Sequence, residues 1–245
     1  PAIDTRAEMS RIGFDKGRAF VGINTIRVES SGDILNYCAD KARFGKRRIE
    51  VFDEPQFLDS GFIGVVEKLC SEGHLPILSM LDRDFRGEAF SFRDYNATTE
   101  DLLKNIPERN KYHLRLARCR VCKQTADYSQ RLINGQPAPY FDPLYMIDSE
   151  VERERTGKNY TYEPRCKDHF SIPWKEEACT IETMVKRSPG LTRTQARDIA
   201  NDALKIPVDV AEQTIAMFVA EKRVLEQDGK LYKPPKIITA TEIPK

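Results

Sequence analysis

With 245 residues the chain can bury a sizeable core and hold one large domain or two small ones. Its 31% charged and 40% hydrophobic residues are a globular balance, and no apolar run is long enough to span a bilayer. The formal net charge of +1 sets up no global field, which removes the usual reason to expect avid binding to bulk nucleic acid or to an anionic membrane.

Pro1 to Arg11 is polar and has no apolar core, so no secretory signal is read there. Pro1 to Arg6 reads as the end of a strand; Asp4 and Arg6 either face a phosphate site or cap a loop, and chemistry alone favours the loop. Gly22 to Val28 alternates as a strand does. Ser31 to Ala42 has helical spacing with Ile34, Leu35 and Cys38 on one face, where Cys38 is read as core. Ile49 to Phe57 is a short strand that runs into two adjacent carboxylates, Asp53 and Glu54, and then breaks. In open α/β sheets ligands bind beyond the carboxyl ends of strands, where an acidic residue can hold Mg²⁺ near phosphates; the other reading is a solvated pair that ends a strand.

Phe62, Val65, Val66, Leu69 and Cys70 give the next stretch the spacing of an amphipathic helix, stopped by Gly73, with His74 read as a solvated loop residue. Leu75 to Leu81 is a nearly unbroken apolar run, the pattern of a strand buried on both faces, with Pro76 tolerable only at its entrance. Strand, helix, strand implies a right-handed crossover and neighbouring parallel strands. That arrangement gathers Asp53, Glu54, Phe57, Leu81 and Phe85 at one crevice, and an apolar slot beside two carboxylates suits a flat ring carrying a hydroxyl. Alternatively Phe57, Phe85 and Phe90 are ordinary core aromatics.

Of the six cysteines only Cys119 and Cys122 lie close together, so a disulfide framework is not expected and a reducing, cytoplasmic setting is. Cys119-Arg120-Val121-Cys122 pairs at a distance with Cys166-Lys167-Asp168-His169. Two-residue spacing on each knuckle lets three thiolates and one imidazole reach a tetrahedral Zn²⁺, a closed and therefore structural site. Two unrelated pairs are the other reading, and Cys179 is a substitute ligand without a partner at knuckle spacing.

From Trp174 the composition changes. Ile181, Met184 and Val185 mark one helix, Thr192 to Leu204 a second with Thr192 as cap, and Val208 to Lys222 a third opened near Pro207. Val224 to Gln227, Asp228-Gly229 and Lys230 to Lys233 read as a hairpin. Three helices and a hairpin resemble a winged-helix module. Its charges nearly balance, so protein contact or self-association ranks ahead of DNA binding. The tail after Pro234 is expected to be disordered.

Several of these stretches together resemble the cellular-type, zinc-bearing thymidine kinase family. Asp53-Glu54-Pro55-Gln56-Phe57 is similar to its Asp-Glu-x-Gln-Phe motif and Leu81-Asp82-Arg83-Asp84-Phe85 to its Leu-Asp-x-x-Phe segment. The cysteine pair, Arg131-Leu132-Ile133-Asn134-Gly135 and Tyr162-Glu163-Pro164-Arg165-Cys166-Lys167-Asp168-His169 follow in family order, and Pro1 to Arg6 resembles Pro-x-x-Asp-x-Arg. The resemblance covers residues 1 to about 172 and implies transfer of the ATP γ-phosphate to the 5′-hydroxyl of thymidine or deoxyuridine. It makes Glu54 the general base, has Asp53 hold Mg²⁺ through water, and places Asp4 and Arg6 with the nucleotide. Phe57, Leu81, Phe85 and Phe90 would line the base pocket, Tyr162 would fold over the base, and the subunits would form a homo-tetramer. Before Tyr162 the small-residue turn of the family is replaced by Ile147-Asp148-Ser149-Glu150 and a charged insertion, Val151 to Asn159. No Gly-x-x-x-x-Gly-Lys-Ser/Thr loop is present: Gly45-Lys46 is followed by Arg47 and lacks the upstream glycine. An N-terminal segment carrying that loop is expected ahead of Pro1, in preference to a protein that has lost the chemistry.

The expected architecture is α/β, P-loop-kinase-like (RecA-like), with a mainly parallel sheet. Residues 1–115 form the kinase-like domain, 116–173 a zinc-ribbon and nucleoside-loop subdomain, and 174–245 the winged-helix-like module. Two functions stay in play. One is a thymidine kinase using ATP, Mg²⁺ and structural Zn²⁺. The other is an inactive nucleoside-binding or assembly protein acting through its C-terminal module.

Overall fold

Parallel strands cannot be joined by a tight turn, and the chain alternates strand and helix accordingly. The computed structural model describes residues 2–5, 25–39, 49–106, 117–145 and 150–235. Arg6, Gly45-Lys46, the Ile147-Asp148-Ser149 stretch and the tail beyond residue 235 lie outside them. Strands β1 (Ala2–Thr5), β2 (Thr25–Val28), β3 (Ile49–Asp53) and β4 (Leu75–Ser79) form one sheet in the order β2-β1-β3-β4, every pairing parallel. Helix α1 (Ser31–Ala39) connects β2 towards β3, and α2 (Phe62–Ser71) connects β3 to β4.

Helix α2 buries Phe62, Val65, Val66 and Leu69, the stripe its spacing predicts, against Ile34 of α1 and Phe52 of β3. The Phe52 and Phe62 rings meet edge to face at 5.1 Å. Truncating Leu69, 2% exposed, to alanine would cost about 2–5 kcal/mol. Asp59 joins the two helices, its Oδ2 accepting from Ser31 N at 2.9 Å and its Oδ1 from the Ser31 hydroxyl at 2.5 Å.

Two sequence expectations are corrected here. Strand β4 is not buried on both faces: Leu75 and Ile77 are 56% and 46% exposed, while Leu78 packs into the core. An unbroken apolar run carries no alternation, so it cannot report that β4 lies at the edge of the described sheet with one face covered; the edge also accommodates Pro76. His74 is not solvated. Its side chain is 7% exposed and its Nδ1 lies 3.6 Å from Glu50 Oε1, whose carboxylate is buried on the same face of β3 as Phe52.

The chain divides into two units, Pro1–Gly135 with Leu144–Phe170, and Gln136–Pro143 with Ser171–Lys245. In the first, α3 (Thr99–Lys104) follows the sheet. It is succeeded by the two-residue strands β5 (Ala117–Arg118) and β6 (Thr125–Ala126), then β7 (Tyr128–Ile133), α4 (Glu150–Thr156) and β8 (Tyr160–Arg165). Strands β7 and β8 pair antiparallel from Tyr128↔Arg165 to Ile133↔Tyr160. Helix α4 starts at Glu150 and covers the first six residues of the charged insertion.

The second unit contains helices α5 (Lys175–Arg187), α6 (Arg193–Leu204) and α7 (Val208–Ala220). Strands β9 (Leu191–Thr192), β10 (Leu225–Gln227) and β11 (Lys230–Tyr232) form an antiparallel sheet with β11 in the middle. Thr192 caps α6 in a reciprocal pair: its hydroxyl accepts from Gln195 N and the Gln195 side chain accepts from Thr192 N. Asp228 and Gly229, at φ 51 and 71, make the tight hairpin turn. Ile181, Val185, Ala196, Ile215, Phe218 and Leu231 form the core together with Tyr140, which arrives from the earlier segment. Tyr140 is wholly buried, its N–H donates to Pro173 O at 2.9 Å, and its hydroxyl accepts from Arg223 Nη1 at 2.6 Å. No helix among the described residues is long and apolar enough to cross a membrane.

Candidate active site and metal centre

At the carboxyl end of β3 the chain turns sharply. Asp53 still pairs with Ser79, but Glu54 adopts a left-handed conformation, φ 51 and ψ 45, with its N–H on Ser79 O at 2.8 Å. Pro55 opens a single 3₁₀ turn, Pro55–Phe57, in which Phe57 N donates to Glu54 O at 3.2 Å. Left-handed backbone costs a non-glycine residue about 1–2 kcal/mol, a cost typical of functional sites. Gln56, fully buried, donates from Nε2 to Glu54 Oε2 and so orients the carboxylate.

The rings predicted to form one slot fall into two groups. Phe57 and Phe90 meet edge to face at 5.6 Å, and Tyr145 packs on both at 6.0 Å and on Tyr95 at 5.7 Å. Phe85, 3% exposed, instead lies under the Arg131 guanidinium, 3.8 Å from its ring centroid. Arg131 Nε donates to the Tyr162 hydroxyl at 3.0 Å and its Nη2 to Leu144 O at 2.8 Å; Arg131 and Tyr162 are directly paired across β7 and β8. Leu81 is 39% exposed.

The turn bearing Phe85 is fixed by Asp84, whose Oδ1 accepts from Arg86 N at 2.8 Å and Glu88 N at 3.0 Å. Burial pushes the Asp84 carboxyl up to about 6, against the opposing pull of the Arg86 charge and the backbone donors. Gly87 is required twice over. Its φ is 74, and a Cβ there would come within 3.1 Å of Tyr128 and 3.2 Å of Phe170, whose rings stack at 4.3 Å.

Cys119, Cys122, Cys166 and His169 converge, with all four ligand atoms within 4.8 Å of one another. Cys122 Sγ lies 3.6 Å from Cys166 Sγ, which lies 3.2 Å from His169 Nδ1. Ligands about 2.3 Å from a tetrahedral zinc stand about 3.8 Å apart, so this donor set fits structural zinc. Burial works to raise the Cys119 thiol, but backbone N–H groups of Cys122, Cys166 and Val121 outweigh it and bring the thiol down to about 6. Burial and the Cys122 side chain raise Cys166. Cys179 lies exposed on α5 and is not one of the four.

Asp4 lies on β1 opposite Arg27, and Arg6 is outside the described residues. Residues the sequence reading did not assign are Gln56, Arg131 and Tyr145. Arg131 had a usable signal, a cation inside the strand Tyr-Ser-Gln-Arg-Leu-Ile, where burial asks for a partner. Tyr145 had none.

The thymidine kinase family model matches residues 3–170. A thymidine kinase of Coprothermobacter proteolyticus is 34% identical over 175 residues, which span 71% of this chain and 75% of that protein.

Proposed function

The chain belongs to the thymidine kinase family, and from that premise we propose how its residues carry out the phosphorylation of thymidine. Glu54 is the general base: it takes the proton of the 5′-hydroxyl as that oxygen attacks the γ-phosphorus of ATP, and the bond from phosphorus to the bridging oxygen breaks to release ADP. Asp53 would hold Mg²⁺, which when bound would neutralise charge on the transferring group, and Asp4 and Arg6 would serve the nucleotide. Phe57, Phe85, Phe90, Leu81 and Tyr162 receive the base of thymidine or deoxyuridine, and Arg131 supports Phe85 and Tyr162 from between them. Cys119, Cys122, Cys166 and His169 hold a structural Zn²⁺. The parallel sheet is the P-loop-kinase type, and the active assembly is a tetramer. The alternative, a protein without the chemistry, is not favoured by the family match.

The observation that carries this reading is the Glu54 turn: a strained carboxylate at a strand's carboxyl end, oriented by a buried amide and followed at once by a ring cluster. Glu54→Gln in the full-length gene product keeps shape and loses the basic oxygen. Turnover should fall by about 10²–10⁴. Thymidine affinity by calorimetry should change less than about tenfold, about 1.4 kcal/mol. Turnover within a few-fold of the parent would remove Glu54 from the role of base.

The second unit, three helices with a three-stranded sheet in the order β9-β11-β10, is read as a winged helix. The exposed face of α7 presents Val208, Asp209, Glu212, Gln213 and Ala216, with no cation. A protein surface therefore suits it better than a phosphate backbone.

A further inference from the structure

We propose that Tyr145 is a positioning residue of the phosphoryl-transfer site, acting on Glu54 through the Pro55–Phe57 turn while its ring forms a wall of the base slot. The inference rests on the reading of Glu54 as general base. The Tyr145 hydroxyl shares its single proton between the carbonyls of Gln56, at 3.2 Å, and Ser91. The first carbonyl belongs to the turn that follows Glu54, and the second adjoins Phe90. One hydroxyl therefore staples the catalytic turn to the segment that carries a slot ring. The Gln56 side chain, in the same turn, holds Glu54 Oε2. Displacing the turn thus displaces the carboxylate.

The residue before it completes the argument. Leu144 O accepts from Arg131 Nη2, and Arg131 lies on Phe85 and donates to Tyr162. Two consecutive residues, Leu144 and Tyr145, therefore join the Phe85–Arg131–Tyr162 group to the Phe57–Phe90 group. Tyr145 is also the hub of the second group, contacting Phe57, Phe90 and Tyr95. Ring and hydroxyl thus have separable tasks: the ring shapes the slot, and the hydroxyl sets where Glu54 stands. Misplacing a base by a fraction of an ångström loses part of its contribution to rate and leaves ground-state binding intact.

Tyr145→Phe removes one oxygen and keeps every ring contact; Tyr145→Leu removes the ring. In the full-length gene product, Tyr145→Phe should lower kcat about tenfold with thymidine Kd within about threefold, and with zinc content and a cooperative melt retained. Tyr145→Leu should raise Kd at least about tenfold. The decisive arm is the Glu54→Gln background, in which Tyr145→Phe should change the residual turnover less than about twofold, because the carboxylate it positions is gone. A further tenfold loss in that background, or an unchanged kcat for Tyr145→Phe alone, overturns the proposal while the role of Glu54 stands. If Glu54→Gln itself retains turnover, the reading beneath the proposal fails instead. Unchanged thymidine affinity in Tyr145→Leu removes the ring from the slot independently of turnover.

Discussion

Replacing Asp84 by asparagine removes a buried titrating group and leaves in place the oxygen that accepts from Arg86 N and Glu88 N. Burial raises this carboxyl from 3.8 to about 6 in the folded chain. Between those two values the folded state binds more protons than the unfolded state, so this group makes stability fall as pH rises, and its contribution levels off above about 6. A titration displaced by about two pH units is worth about 3 kcal/mol in full, and because pH 4 already lies above the unfolded value the parent loses about 2 kcal/mol of it between pH 4 and pH 7. The asparagine variant lacks that slope. Its stability relative to the parent should therefore rise by about 2 kcal/mol over the same range, whatever constant offset the substitution introduces. Urea midpoints for both proteins at half-unit steps from pH 4 to 7.5 measure the difference. A difference flat across that range would show that Asp84 ionises as readily in the fold as in water, and the account of the Phe85 turn would be wrong.

Cys166→Ser should take the metal content from about one zinc per chain towards none and lower thermal stability, because binding to a closed Cys₃His site is folding free energy; full zinc with an unchanged melt would exclude Cys166 as a ligand. The whole chain should bind duplex DNA no more tightly than non-specific proteins do, about 10⁻⁴–10⁻⁶ M at physiological salt, since the exposed face of α7 offers no cation for counterion release. Sequence-selective nanomolar binding in a mobility-shift assay would reverse that ranking.

What could be read from the sequence was local. The helix from Phe62 to Cys70, the strand into Asp53, the Thr192 cap and the Asp228-Gly229 turn each depend on spacing or on one backbone preference, and each is present. The four cysteine and histidine positions share this quality, because knuckle spacing is itself geometry. What could not be read was set at a distance. His74 is buried because Glu50, 24 positions earlier, lies on the same covered face. Strand β9 is two residues long, too short for any period to register, and exists because Leu231 pairs with Leu191. Phe85 packs under Arg131 and Phe57 against Tyr145, partners that composition and alternation do not announce.

Tyr140 reaches the core of the second unit from ahead of α4, while Pro173, Glu182 and Arg223, which serve it and its guanidinium partner, come from after β8. In engineering terms the C-terminal module is a two-part graft. Moved to another chain as residues 171–245 alone, it would leave behind the ring that fills its centre, and Arg223 would face a vacancy where a phenol stood. The donor chain would be left with Tyr140 and Phe141 exposed on the loop that leads to Leu144 and Tyr145. A functional swap therefore carries Gln136–Pro143 as well, and with it a second junction inserted a single step from Leu144 and Tyr145.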